Sequence, residues 1–375
     1  MGFEFSSPNK GCEALSYSFI SFLCRIVNEE LTILNFTNFD MGKLKEKFPS
    51  VKFEQIRLKI KDPRFKMIRS FIKCDYVFDI TMGDSFSDIY SKESCLIDIK
   101  FKKIANLFSK KYILMPQTYG PFTSEDICNK AKFVLRNAYS IMCRDETSQR
   151  YINDMFSVNN SVLTTDIAFL LPYDISTYLI DSDNSKLGIN VSGLLWKGGF
   201  DNANQFGLKF SYKEYIEYII GYYTNENFEI HLIPHVIDLS ETAHDDDYNI
   251  CCYLNKKYPN TILAPAFQTP IEAKSYIANM DCFIGARMHS TIAAFSAGVA
   301  TIPFSYSRKF EGLYESLQYP YVIHSTLDSL EECIEKTRKY VSMAHVLKDD
   351  VQNRGVIINE KIRVFCDEIL RIFNA

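Results

Sequence analysis

One apolar stretch holds the residues best suited to chemistry. From Phe283 to Gly312 the chain reads "FIGARMHSTIAAFSAGVATIPFSYSRKFEG", and its two breaks carry Arg287 with His289 and Arg308 with Lys309. A guanidinium presents a planar fork of donors that fits a carboxylate or a phosphate. A histidine titrates near neutrality and can pass a proton. The combination suits a small, multiply charged anion held by cations beside a proton donor.

The elements that would position these groups follow from the pattern. "CFIGA" reads as a strand, "HSTIAAFSAG" as a helix ended by Gly298, and "ATIPFSY" as the next strand. In an open parallel sheet, ligands gather beyond the carboxyl ends of the strands. Both breaks would lie on that rim, and the first opens a helix whose N-terminal N–H groups favour anions. Strand-like and helix-like segments alternate along the rest of the chain. "CDYVFDITM", "KYILMPQ", "YSIMCR" and a short strand in "SVLTTDIAFLLP" come first. "LGINVSG", "FEIHLIPHV" and "TILAPAF" follow a polar linker, Tyr173 to Lys186. This predicts an α/β protein built from βαβ units. Two Rossmann-like domains facing a cleft are expected, at residues 1–175 and 186–340. Residues 341–375 should form C-terminal helices able to pack back on the first domain.

Composition sets outer limits. A chain of 375 residues suggests two domains. A net charge of −4 supplies no driving force for nucleic acid and none for bulk attraction to anionic membranes. The eleven cysteines include no CxxC pair, so they read as reduced thiols of a cytoplasmic protein. No signal peptide and no membrane-spanning run is expected, so any membrane contact would be peripheral. "HDDD", His244 to Asp247, reads as a solvated loop rather than a metal site. "WKGG" lacks the spacing of a phosphate-binding P-loop. Neither a metal nor a cofactor is implied.

Six segments, in order, resemble the polysaccharide pyruvyl transferase family. They are "NKGCEAL" from Asn9, "MGDSFSD" from Met82, "MPQTYGPF" from Met115, "CRDETSQRYI" from Cys143, "TDIAFLL", and the Gly-x-Arg-x-His stretch followed by Tyr-x-x-Lys. The resemblance implies a GT-B-like fold. It also implies transfer of pyruvate from phosphoenolpyruvate to two hydroxyls of a sugar, giving a cyclic ketal in cell-surface polysaccharide assembly. The partners would be phosphoenolpyruvate and an acceptor sugar, free or lipid-linked. By resemblance, Arg287 and His289 match the phosphoenolpyruvate-binding Arg-x-His. Family members can carry an arginine soon after the first strand of the second domain. Here Lys197 is the only nearby cation, so either Lys197 replaces it or Arg144 takes more of the role.

That reaction assigns work to the remaining residues. His289 would protonate the methylene carbon. Lys309 and Arg144, and more weakly Arg308, would join Arg287 in balancing the anion. Asp84 and Asp88, in the loop after "FDITM", are candidate bases for the sugar hydroxyls, although each also reads as a turn or cap residue. Glu13, His235 and Gln117 complete the candidate substrate contacts. Two other readings compete. One is a GT-B glycosyltransferase using a nucleotide sugar, which shares the fold and the basic rim. The other is a binding protein without chemistry.

Overall fold

The computed structural model describes residues 1–36, 40–56, 63–89, 91–180, 182–199, 202–240 and 245–375, without the side chains of 63–64 and 308–309. The chain divides into two compact units. The first comprises Met1–Ser6, Leu15–Leu170 and Asn359–Ala375, and the second Ser7–Ala14 and Leu171–Ile358.

In the first unit, β1 (Leu31–Asn35) and β2 (Val51–Gln55) form a parallel pair. Strands β3 (Val77–Asp79), β4 (Tyr112–Gln117), β5 (Ser140–Cys143) and β6 (Val162–Leu163) form a parallel sheet in sequence order. Every residue of β4 and β5 is buried, as expected for strands covered on both faces. The Glu146–Phe156 helix starts at Asp145, whose carboxylate accepts the Ser148 N–H at 2.6 Å. It packs Ile152 and Phe156 against Leu114 and Ile141 in one core. The last residues of the Ala344–Asn374 helix belong to this unit. There Phe365 meets Phe22 with tilted rings, Phe373 meets Tyr76, and Glu368 accepts a 2.5 Å bond from Ser140.

The second unit contains β7 (Lys186–Asn190), β8 (Glu229–Leu232), β9 (Ile262–Leu263), β10 (Cys282–Gly285), β11 (Ala300–Ser305) and β12 (Ile323–His324). All pair in parallel, in the order β12-β11-β10-β7-β8-β9. The Tyr212–Asn225 helix lays Tyr215, Ile216 and Ile219 on Leu187, Ile189 and Phe304. Gly298, at φ +77°, follows the Met288–Ser296 helix in the left-handed conformation that a side chain would resist.

Residues 7–14 join the second unit through backbone bonds. The Lys10 N–H donates to the His235 carbonyl at 2.9 Å, and the Ile237 N–H donates to the Pro8 carbonyl at 2.9 Å. Asn9 forms an antiparallel bridge with Val236. No helix among the described residues is long and apolar enough to cross a membrane.

Candidate functional site

The carboxyl ends of three adjacent strands of the second unit meet on one rim. Asn190 ends β7, His235 lies beyond β8, and Arg287 follows β10. In "KLGIN" an apolar Leu-Gly-Ile stretch follows Lys186, and the closing Asn190 ties the rim together. Asn190 Nδ2 donates to the Ile233 carbonyl at 3.0 Å. Its Oδ1 accepts the Arg287 N–H at 2.9 Å and the Ser290 hydroxyl at 3.1 Å. Arg287 occupies the N-cap position of the Met288–Ser296 helix, but its side chain does not cap it.

That side chain is buried between two carboxylates. Nε lies 3.3 Å from both oxygens of Asp247, and Nη2 lies 2.6 Å from Asp247 Oδ1. Nη1 donates to Asp245 Oδ2 at 3.1 Å, and Nη2 also reaches Asp245 Oδ1. Burial acts to lower the Arg287 pKa, but Asp247 and Asp245 outweigh it and raise it well above the ordinary value. The guanidinium is therefore a permanent cation facing two anions.

The two aspartates are held differently. Asp247 is fully buried and accepts backbone N–H groups from Gly193 at 2.8 Å, Val236 at 2.9 Å and His235 at 3.1 Å. Gly193 touches the next turn so closely that a Cβ there would lie 2.2 Å from the Asp246 carbonyl oxygen. The side chain of Asp245 is 26% exposed. Asp245 to Asp247 are thus not a solvated loop. Asp245 and Asp247 pair with Arg287, and Asp246 caps the Asp247–Lys257 helix by accepting from Tyr248 and Asn249. A buried cation overrode the surface preference of two of the three adjacent acids, and a helix start took the third. His244 lies outside the described residues. Among the described residues, no cluster of His, Cys, Asp or Glu is arranged to hold a metal.

His289 and His235 are neighbours on this rim. His235 is buried, and burial holds its pKa well below the ordinary histidine range, helped by the charges of His289, Arg287 and Lys10. It is therefore neutral. Gly11 lies against the His289 ring: a Cβ there would be 2.5 Å from Nδ1 and 2.8 Å from Cγ. Only glycine permits that approach, so the "NKGCEAL" segment forms one wall of the histidine's position. Glu13, in the same segment, forms a buried 2.7 Å ion pair with Lys10.

The remaining predicted residues are distributed as follows. Lys197 closes the Gly193–Trp196 helix as its C-cap. Arg308 and Lys309 begin the Arg308–Ser316 helix after β11, and their side chains lie outside the described residues. The others belong to the first unit, also at the carboxyl ends of strands. Asp84 closes the Thr81–Gly83 turn and is half-buried. Asp88 accepts both the Thr123 N–H and hydroxyl, at 2.8 and 2.9 Å, and the Ser124 N–H at 3.3 Å. It anchors the start of the Glu125–Asn137 helix, which tells against a role as base. Buried Gln117 donates to the Asp79 carbonyl at 3.0 Å. Arg144 pairs with Asp166 at 3.1 Å, both buried.

Sequence reading missed Asn190, Asp245 and Asp247. A polar residue closing an apolar strand was the available signal for Asn190. For the aspartates it was an acidic run immediately before a helix.

Comparison with known proteins places this geometry. No curated protein matches the chain by sequence. Among solved structures, UDP-GlcNAc 2-epimerase from Neisseria meningitidis, bound to UDP-GlcNAc, superposes with a TM-score of 0.57 at 10% identity, covering 94% of this chain and 97% of that one. Anabaena Alr3699/HepE, in complex with UDP and glucose, gives 0.57 at 10% identity over 99% and 98%. A putative UDP-N-acetylglucosamine 2-epimerase from Listeria monocytogenes gives 0.58 at 9% identity over 91% and 88%. At such identities the likeness shows the fold alone, which is GT-B. The polysaccharide pyruvyl transferase family model matches residues 9–308, from the glycine segment beside His289 to the start of the helix after β11. With most of its length matched, the chain belongs to the polysaccharide pyruvyl transferase family.

Proposed function

We propose that the protein transfers pyruvate from phosphoenolpyruvate onto two hydroxyls of one sugar, forming a cyclic ketal and releasing phosphate. The observation that carries this reading is the rim cluster of the second unit. A permanently charged Arg287 and His289 form the family's Arg-x-His motif, and neutral His235 lies beside them.

His289 delivers a proton to C3 of phosphoenolpyruvate, turning the methylene into a methyl group. C2 then carries oxocarbenium character and accepts the first hydroxyl oxygen. The C2–O bond to phosphate breaks, and the second hydroxyl adds at the same carbon. The two hydroxyls lose two protons, of which one balances the proton gained by C3 and the other leaves with phosphate. Neutral His235 beside His289 adds no charge to oppose its protonated form. Asp245, the partly exposed partner of Arg287, gives way to the incoming anion, while Asp247 remains fixed by three backbone N–H groups. The hydroxyl proton acceptor is Asp84 in the first unit, since the Asp88 carboxylate is committed to Thr123 and Ser124. The reaction takes place where lipid-linked or free glycan intermediates are available.

The test is incubation with phosphoenolpyruvate and a panel of glycosides, following phosphate release and product structure by NMR. The expected product is acid-labile and has a methyl group but no vinyl protons. Retained vinyl protons would point to an enolpyruvyl ether. Turnover of a nucleotide sugar without phosphoenolpyruvate would point to a glycosyltransferase.

A further inference from the structure

The formal charge of −4 conceals an uneven distribution. In the first unit the Pro63–Lys73 and Lys92–Phe108 helices adjoin, and both bury one side in the same core, through Met67, Phe71, Cys95 and Ile99. Their sequences hold eight Lys or Arg and two acids, Glu93 and Asp98. Asp98 lies 3.3 Å from the buried Lys102, which leaves Glu93 as the exposed acid of the two helices. Just beyond both helices, Asp75 and Lys110 neutralise each other at 2.7 Å. Arg57 to Asp62, before the first helix, lie outside the described residues. By sequence they add three cations and one acid, so the sign of the charge does not depend on them.

The outer side of this helix pair mixes those cations with apolar residues. Ile72 is 54% exposed and sits between Arg69 and Lys73. Opposite the buried Cys95, Ile99 and Ala105, the longer helix aligns Ile97, Lys100 and Leu107 at spacings that return to one face, with Phe108 next to Leu107. Ile97 is 53% exposed and Leu107 65%. Arg69, Lys73 and Lys100 are exposed, and among the described residues none of the three has a carboxylate at ion-pair distance. Single exposed apolar side chains are ordinary on a protein surface. Their coincidence with one sign of charge is not. The Leu330–Ser342 helix of the second unit balances three Glu against three Lys or Arg and exposes no large apolar residue.

We propose that this helical face docks on the surface of an anionic phospholipid bilayer. The apolar side chains enter the headgroup boundary, while the lysine and arginine stems lie along it and carry their charges to the lipid phosphates. Near an anionic surface each such cation is worth roughly fivefold in partition. Three of them give this face a preference that the negative charge of the whole chain hides, and they fix which side of the first unit meets the lipid. A second copy of the chain is a poorer occupant, because a two-fold interface sets the same cations against one another. The inference does not rest on the pyruvyl transfer reading, but it brings the protein to where a lipid-linked acceptor is found.

Sedimentation of the full chain with vesicles tests this, comparing phosphatidylcholine alone with an equal mixture of phosphatidylcholine and phosphatidylglycerol. Binding to the anionic vesicles should be about tenfold tighter or more, and should weaken with added salt. In an Arg69→Gln, Lys73→Gln, Lys100→Gln variant that preference should vanish at an unchanged melting temperature, since the three side chains are exposed. An Ile72→Ser, Leu107→Ser variant should bind anionic vesicles several-fold less while keeping the salt dependence. Equal binding to the two vesicle types, or a preference that survives the triple variant, would overturn the proposal. So would a dimer of the parent chain that either variant dissociates, which would make the face an interface between copies. Phosphate release from phosphoenolpyruvate with a soluble glycoside should be the same in both variants as in the parent. If the parent binds anionic vesicles but releases no phosphate with any acceptor, the pyruvyl transferase reading fails and the docking face stands.

Discussion

The two units share one pattern of buried charge and part at Lys274 and the histidine pair. In the first, several described buried ions sit beside opposite charges or hydrogen-bond donors. Lys102 lies 2.7 Å from Asp79 and 3.3 Å from Asp98, Arg144 pairs with Asp166, and Asp88 is surrounded by donors from Thr123 and Ser124. In the second, Arg287 likewise faces two carboxylates and Lys10 pairs with Glu13, but Lys274 is buried with a carbonyl as its hydrogen-bond acceptor and a neutral buried histidine adjoins His289. Both units place polar residues at the carboxyl ends of parallel strands, so topology alone does not separate them. A closed ion pair stabilises a loop and resists change. An unbalanced cluster changes state when a proton or an anion arrives, as chemistry on an anionic substrate requires.

The sharpest way to break this contrast is at His289. His289→Gln should lower turnover by roughly 10²–10⁴ if His289 supplies the proton, with the melting temperature preserved. A folded variant of near-normal turnover would remove the second unit's claim to the chemistry.

The buried lysines test the same contrast through stability. Burial pushes the Lys274 pKa down to about 7, even though Nζ donates 2.7 Å to the Leu171 carbonyl and lies 5.0 Å from the Tyr173 ring centre. The unfolded chain binds this proton up to the ordinary lysine pKa of 10.5. Between about pH 7 and 10.5 the unfolded state therefore holds more protons, and stability rises with pH across that window. Below pH 7 the penalty is complete, at about 3–5 kcal/mol. Lys274→Met should stabilise the protein at neutral pH and flatten the rise in a denaturant-midpoint series from pH 7 to 10. Lys102→Met should do the reverse, destabilising by about 3–5 kcal/mol because Asp79 is left buried without its cation. Equal effects of the two substitutions would erase the distinction between the units.

Asp88 and Asp84 offer a smaller test within the first unit. Asp88→Ala should cost about 1–3 kcal/mol of stability, because the Thr123 and Ser124 donors lose their acceptor. Asp84→Asn should slow turnover. If Asp88→Ala proved stable but inactive, the roles of the two aspartates would be exchanged.

The sequence made much of the architecture legible for physical reasons. Strands buried on both faces, such as "YILMPQ" and "ATIPFS", appear as continuous apolar runs, and Gly298 marks a helix end through its positive φ. β1, β2 and β12 were not read. The first two are short, partly exposed strands, and β12 has only two residues. At the site, Arg287 and His289 stood out because cations are unusual in so apolar a stretch. Asp245 and Asp247 did not, because they meet Arg287 from forty or so positions away. Nor did the contact of Gly11 with His289, which joins residues far apart in sequence. Local pattern carries strand and helix identity, whereas pairing of buried charges depends on the completed fold.

The smallest predicted effect concerns Asp245, and its sign is what matters. Arg287 contributes one positive charge, and Asp245 with Asp247 contributes two negative ones, so an arriving anion meets a net negative cluster. Asp245→Asn removes one of those charges and keeps the side-chain shape. At separations of about 4–6 Å and the effective dielectric of a protein surface, the repulsion relieved is on the order of 1–3 kcal/mol. The half-saturating concentration of phosphoenolpyruvate should therefore fall several-fold or more. Added salt should narrow the difference from the parent protein, because screening weakens the repulsion in both the parent and the exchange. Asp247→Asn should instead destabilise the fold, since its carboxylate holds the Gly193, His235 and Val236 N–H groups. Weaker binding in Asp245→Asn would mean that Asp245 orients Arg287 rather than competing with the substrate. Arg287 would then be a positioning residue for the histidines, and the donor's anionic groups would need other cations on the same rim.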